Sequence, residues 1–275
     1  MQGRVLAIGG SDSGGGAGIQ ADIKAITALG GFATTAITAL TVQDTKRVIA
    51  VHPVPPAFVA DQMRLVLADL GADCLKTGMM YDGATVEAVS DVLDKEARGI
   101  PLVVDPVLIS KSGAALLASE AMPVFKARLL LRATLVTPNI PEAETLTGLK
   151  IVSLDDMMHA AEMLRTMGPL NALVKGGHMP GDTVTDVLAT EKGVCLFQGP
   201  RIDTTSTHGT GCTIASAIAL GLAQGLSLDD AVGRARAYLE AALKSAPGYG
   251  GGNGPLNHAV TVQPIKAWAG SLPAQ

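Results

Sequence analysis

RVLAIGGSDSGGGAGIQADIKAITAL, residues 4–29, contains a strand, a glycine loop and a helix in succession. Arg4–Ile8 is a short apolar run ended by Gly9-Gly10, which predicts a strand covered on both faces. Ile19–Leu29 returns apolar residues at helical spacing. The polar, glycine-rich stretch Gly9–Gly18 between them is too long for a simple connector. This strand–loop–helix unit then recurs along the chain. Strands are predicted at Thr35–Leu40, Val48–Val51, Cys74–Lys76, Leu102–Val104, Thr134–Val136 and Ala172–Val174. Helices are predicted at Ala57–Leu70, Ala84–Ala97, Leu116–Leu129 and Leu154–Met167. Alternating β and α units imply an α/β fold around a mostly parallel sheet. Thr183–Ala189 and Val194–Phe197, separated by Thr190-Glu-Lys-Gly193, predict a hairpin, so the sheet ends in antiparallel strands. Two helices follow, Cys212–Gln224 and Leu228–Lys244, and Ser153 and Ser227 each open a helix with acidic residues in its first turn. No linker or repeat interrupts the pattern. One domain is expected over residues 1–262, with 263–275 as a tail.

Composition excludes several classes. Lys and Arg number 21 against 25 Asp and Glu, a formal net charge of −4, which argues against a nucleic-acid partner held by phosphate contacts. Aromatics are 3%, too few for base-stacking platforms. No apolar run reaches the length of a membrane span, and the first apolar run is too short for a signal-peptide core. Cys74, Cys195 and Cys212 are widely spaced and form neither a disulfide framework nor a metal motif. A cytoplasmic location is expected. Glycine, 32 of 275 residues, is enriched without a collagen period, pointing to backbone that approaches ligands closely.

In open α/β sheets, ligands bind beyond the carboxyl ends of the strands, so the residues that follow each strand are where chemistry is expected. Gly16-Ala-Gly-Ile-Gln-Ala21 matches a relaxed dinucleotide fingerprint, but it begins too far beyond its strand. A dehydrogenase reading also leaves the second glycine cluster unexplained. No Gly-Lys dipeptide exists, which excludes a Walker A loop. Thr207-His-Gly-Thr-Gly-Cys-Thr213 runs straight into the apolar helix Ile214–Leu222. Its small residues at 209–211 allow successive backbone N–H groups to point at one spot at the positive end of a helix, an anion hole without a lysine. Cys212 in that first turn is expected to have a lowered thiol pKa. His208 beside Cys212 hints at a Cys–His hydrolase, but neighbours in a turn usually point apart. Asp105, after Val103-Val104, and Glu142, with Asn139, follow two strands, and carboxylates at one sheet edge suit Mg²⁺. Each alone reads as a cap or turn residue. Lys175 ends another strand and needs an anionic partner, which a polyphosphate would supply. Gln43 offers a donor beside an acceptor, a match for an aminopyrimidine edge. Asp22, one helical turn beyond Gly18, reads by itself as a solvated helix residue.

The blocks IGGSDSGGGAGIQADIK, ITALTVQDT, LKTGMM, VVDPVLISKSG, LVTPNIPEAE, LVKGGH, TDVL, THGTGCT and GGNGPLNH together resemble the ribokinase-like kinases. Within them they are most similar to the hydroxymethylpyrimidine/phosphomethylpyrimidine kinases of thiamine synthesis. The resemblance spans about residues 3–260. It implies a three-layer α/β/α sandwich, ATP and Mg²⁺, a homodimer, and a pyrimidine alcohol and its monophosphate as substrates. It places Gln43, Asp22, Gly10 and Met79 in the pyrimidine pocket, and Asp105 and Glu142 at the metal. Lys175, Asn139, Thr207, Gly209 and Gly211 fall on the nucleotide, with Gly209, Gly211, Lys175 and Cys212 catalytic. Cys212 stands where sugar kinases of the superfamily carry an Asp general base. Pyridoxal kinase is the alternative within the superfamily. A non-catalytic pyrimidine-binding regulator is the alternative outside enzymes, and the presence of Asp105, Glu142 and Cys212 argues against it.

Overall fold

Among the described residues, nine strands form one sheet in the order β3-β2-β1-β4-β5-β6-β7-β8-β9. The structure, a computed structural model, describes residues 2–109, 113 and 116–263. Residues 264–275 of the expected tail, and parts of the VVDPVLISKSG block, lie outside the described residues. β1 (Arg4–Ser11) is flanked by β2 (Phe32–Gln43) and β4 (Cys74–Thr77). β5 (Leu102–Val104), β6 (Leu135–Val136) and β7 (Asn171–Val174) continue the parallel sheet on the β4 side. Antiparallel strands close both edges: β3 (Val48–Pro53) on β2, and the hairpin of β8 (Thr183–Thr190) with β9 (Gly193–Pro200) on β7.

Helices cover both faces, because strands with no polar alternation leave two apolar surfaces to bury. One face packs α2 (Pro56–Asp69), α3 (Gly83–Glu96), α5 (Ile140–Thr147) and α6 (Leu154–Thr166) over Leu6, Ile8, Leu75, Leu102, Val104 and Val136. The other packs α1 (Gly18–Ala28), α7 (Thr210–Ala223) and α8 (Leu228–Lys244) over Val5, Cys74, Val103, Leu135 and Leu173. Successive strand residues alternate between the faces. The residues that extend the second face toward the carboxyl ends are therefore Lys76, Asp105 and Lys175, aimed at the start of α7.

Two expectations needed correction. Leu116–Leu129 is not one α-helix. Leu117 bridges Tyr81, and the chain then runs through a 3₁₀ turn (Ser119–Ala121), a short α4 (Met122–Val124) and a π-wound stretch (Phe125–Leu130). α5 is a helix that the sequence pattern does not predict, and it makes Asn139 its cap. It is opened by a capping box in which the Asn139 side chain accepts from Glu142 N–H and Glu142 accepts from Asn139 N–H, while Pro141 sits where a helix tolerates proline.

Candidate active site

The carboxyl ends of the parallel strands, the two glycine loops and the start of α7 enclose a cleft of about 470 Å³. Every residue singled out from the sequence lines it. Gly10, Asp22, Gln43 and Met79 lie toward β1 and β2, and Asp105, Asn139, Glu142 and Lys175 toward β5–β7. Thr207, Gly209, Gly211 and Cys212 lie at the head of α7.

α7 begins without a side-chain cap. Gly209 takes the cap position at φ +83°, a left-handed conformation that favours glycine, and a Cβ there would collide with the carbonyl oxygen of Gly16. The second glycine loop thus rests on the first. A Cβ on Gly211 would lie 3.2 Å from Lys175 Nζ and 3.5 Å from Asp105 Oδ2. The space above Gly211 is therefore a cradle bounded by a helix N-terminus, an ammonium group and a carboxylate. Gly10 backs Met79, whose Sδ would lie 2.9 Å from an added Cβ.

The electrostatics follow from crowding. Lys175 Nζ donates to Asp105 Oδ1 at 3.0 Å, and Thr137 Oγ1 lies 3.3 Å from the same oxygen. Lys175 thus has its anionic partner in the protein, and its pKa is raised because Asp105 and Glu142 outweigh the cost of burial. Burial pushes the Glu142 carboxyl up to about 7, and the nearby Asp105 adds to the shift, against the pull of Lys175. The raised Glu142 carboxyl beside Asp105 marks a place that an added cation would relieve.

Several single-residue readings change. Asp22 is not solvated: it is fully buried and accepts from Lys76 Nζ at 2.8 Å and from Ser216 Oγ at 2.7 Å. The Cys212 thiol is not lowered. Burial pushes it up to about 12, Asp105 and Asp22 add to the rise, and Lys76 only partly opposes them. His208 turns away from any hydrolase pairing and places Nε2 2.7 Å from Asp12 Oδ2. Asp12, His208 and Lys76 line the same cleft and were not assigned from the sequence. Lys76 had a signal, a lysine ending the buried run Cys74–Lys76, the same signal that drew attention to Lys175.

The model of the family described as phosphomethylpyrimidine kinase matches residues 12–257. The chain belongs to the phosphomethylpyrimidine kinase family. Among curated relatives, it is 44% identical over 256 residues to a hydroxymethylpyrimidine/phosphomethylpyrimidine kinase of Bacillus subtilis, covering 93% of this chain and 94% of that one. It is 47% identical over 265 residues to the thiamine biosynthesis bifunctional protein ThiED of Geobacter sulfurreducens, covering 96% of this chain and 54% of the relative, so it spans about half of that longer protein. Among solved structures, this kinase is similar to the phosphomethylpyrimidine kinase of Clostridium difficile, with a TM-score of 0.77, 38% identity and coverage of 86% and 97% of the two chains. It is also similar to the Staphylococcus aureus pyridoxal kinase in complex with AMP-PCP and pyridoxal, with a TM-score of 0.86, 30% identity and coverage of 96% of both chains. The fold is ribokinase-like, and the kinase is a phosphotransferase. No helix among its described residues is long and apolar enough to cross a membrane.

Proposed function

We propose that this chain transfers the γ-phosphoryl group of ATP to the hydroxymethyl oxygen of 4-amino-5-hydroxymethyl-2-methylpyrimidine, and a second phosphoryl group to the resulting monophosphate. In each step a P–O bond to the alcohol or phosphate oxygen forms and the bond to ADP breaks; the alcohol gives up its proton in the first step, whereas the phosphate dianion of the second has none to lose. The observation that carries the reading is that Gln43, which offers a donor beside an acceptor, and the Gly211 cradle with Lys175 line one cleft. A flat polar ring edge and a transferring phosphoryl group would each find a partner there.

The residues present fit Mg²⁺. Glycine at 211 leaves room beside Asp105, and the Asp105 and Glu142 carboxylates crowd each other there. No cluster of three or more His, Cys, Asp or Glu able to enclose a metal exists among the described residues. Mg²⁺ asks for only one or two carboxylates besides phosphate and water. Asp105 and Glu142 would hold it, with Asn139 beside them. When bound, the ion neutralises charge on phosphate oxygens. The N–H groups of Gly209, Gly211 and Cys212 converge where negative charge gathers, and Lys175 contributes a fixed cation held in place by Asp105. With its thiol protonated, Cys212 serves through its backbone N–H, and a phosphoryl transfer of dispersed charge needs the alcohol deprotonated only late. Met79 and Gly10 shape the wall against the ring. The proposal also includes a cytoplasmic homodimer with its kinase unit within residues 1–262 and no nucleic-acid partner.

Pyridoxal kinase is the second reading, supported by the structural likeness to the Staphylococcus aureus enzyme. The higher identity to pyrimidine kinases, 44% against 30%, and the donor–acceptor amide of Gln43 favour the pyrimidine. The test is incubation with MgATP and each alcohol, following ADP and product mass. Mono- and then diphosphate of the pyrimidine should form, and EDTA should stop both steps. Asp105→Ala should raise the Mg²⁺ needed for half-maximal rate. A higher kcat/KM for pyridoxal would overturn the substrate assignment.

A further inference from the structure

We propose that His208, held by Asp12, is a specificity-determining positioning residue that fixes which way round the Gln43 amide faces the cleft. The inference rests on the reading of Gln43 as the group that meets the ring edge.

Asp12 is nearly fully buried at the start of the first glycine loop. Its Oδ1 accepts from Gly14 N–H at 2.7 Å, and its Oδ2 from Ala17 N–H at 2.8 Å and Gly16 N–H at 3.1 Å. His208 Nε2 lies 2.7 Å from that same Oδ2. Although burial works against the charge, these hydrogen bonds hold the carboxyl below the usual carboxylate range. An ionised carboxylate only accepts, so the proton on this edge of the imidazole sits on Nε2.

Gln43 Nε2 lies 3.1 Å from the same ring nitrogen. Two donors cannot satisfy each other. A half-turn of the amide exchanges two near-isosteric atoms and puts Oε1 on the His208 Nε2–H, shared with Asp12. The Gln43 NH₂ is then left for the cleft, and Oε1 keeps a lone pair for a ligand donor. So anchored, the amide offers its donor to a ring nitrogen and its acceptor to the exocyclic amine beside it. A 4-oxo pyrimidine has the reverse edge, a carbonyl acceptor beside a ring N–H donor. A free glutamine would turn to serve either edge. One tied to His208 serves only the amino form.

The surroundings hold His208 in that role. A Cβ on Gly16 would come within 2.6 Å of His208 Cδ2, so the first loop must be bare there. His208 N–H donates to Gly254 O at 3.0 Å, and Asn253 N–H donates to Thr45 O at 2.8 Å. The loop from the block GGNGPLNH therefore braces both His208 and the turn that follows Gln43.

The test compares kcat/KM for the 4-amino alcohol and its 4-oxo analogue, or the inhibition constant of the analogue where it is not turned over. In His208→Phe the preference for the amino form should fall by about tenfold or more, with KM for ATP unchanged. In a Gln43→Leu background, His208→Phe should change the preference no further. Should His208→Phe lose its cooperative melt, Asp12→Asn carries the same expectation, since it removes the carboxylate that keeps the proton on Nε2. An unchanged preference in a folded His208→Phe or Asp12→Asn, with Gln43→Leu abolishing it, would overturn the positioning role alone. Unchanged KM and preference in Gln43→Leu would overturn the reading of Gln43, and this proposal with it.

Discussion

Lys76 Nζ lies 2.8 Å from Asp22 Oδ1, and neither side chain reaches solvent. Lys76 stands on β4, Asp22 on α1, and Ser216, the carboxylate's other partner, on α7. The pair therefore binds together the two helices that carry the two glycine loops. Asp22 holds the Lys76 ammonium charged despite the cost of burial, its pKa rising above the ordinary lysine value. Removing one partner strands a charge in a dry interior, which costs about 3–5 kcal/mol. Lys76→Met and Asp22→Asn should each lower the unfolding free energy by an amount of that order. The double variant should be less destabilised than the sum, because the stranded charge is gone. Additive losses in urea melts would show that the pair is not coupled.

The Cys212 thiol, pushed up to about 12, stays protonated near neutral pH in the ligand-free protein, whereas Cys195 is exposed. Iodoacetamide at pH 8 should label Cys195 and spare Cys212, as read by peptide mass. Cys212→Ala keeps the backbone N–H in the first turn of α7, so kcat should fall by no more than about tenfold. A general base contributes about 10²–10⁴. A loss in that range, with the melting temperature intact, would restore the side chain as the proton acceptor.

Gly209→Ala combines a positive φ with a collision against the Gly16 carbonyl. It should cost more than about 2 kcal/mol and lower kcat, since the anion hole and the first glycine loop move together. Gly177 also lines the cleft but has nothing within 4 Å of an added Cβ. Gly177→Ala should stay within about 0.5 kcal/mol of the parent. Equal effects of the two substitutions on melting and turnover would show that the loop contact is dispensable.

The layers were legible because short apolar runs alternate with helical spacing, and Gly or Pro marks nearly every boundary. The hairpin was legible from Thr190–Gly193, and both strands run further toward the turn than their apolar cores indicate. The Asn139–Glu142 box was present as a pattern, but Glu142 alone reads as a cap or turn residue and the helix it opens is only eight residues long. In the region after Leu116, apolar spacing cannot tell an α-turn from a 3₁₀ or π-turn. The glycine clusters and Gln43 were legible as site residues. The burial of Lys76 was not, since a four-residue strand covered on both faces gives no alternation from which to read direction, and that of Asp22 on α1 depends on meeting Lys76. The thiol shift was missed because the helix end was weighed and burial among Asp105 and Asp22 was not.

His258 gives the fold a defined acid weakness. Its Nε2 lies 2.8 Å from Thr213 Oγ1 in the first turns of α7, and its carbonyl accepts from Tyr238 OH on α8 at 2.7 Å. Burial, helped by the charge of Lys24, pushes the imidazole down to about 4. The unfolded chain takes up a proton near pH 6.5, while the folded chain refuses it until about pH 4. The unfolded state thus binds more protons across that window, so stability falls as pH drops through it and levels off below. Between pH 7 and 4.5 the loss from this one group should be about 2 kcal/mol. His258→Gln keeps a polar partner for Thr213 and cannot charge. Its unfolding free energy should therefore fall less steeply with acid than the parent's, by about that amount. Parallel stability profiles for the two proteins, measured by urea melts from pH 7 to 4.5, would show that His258 charges in the folded state as readily as in water.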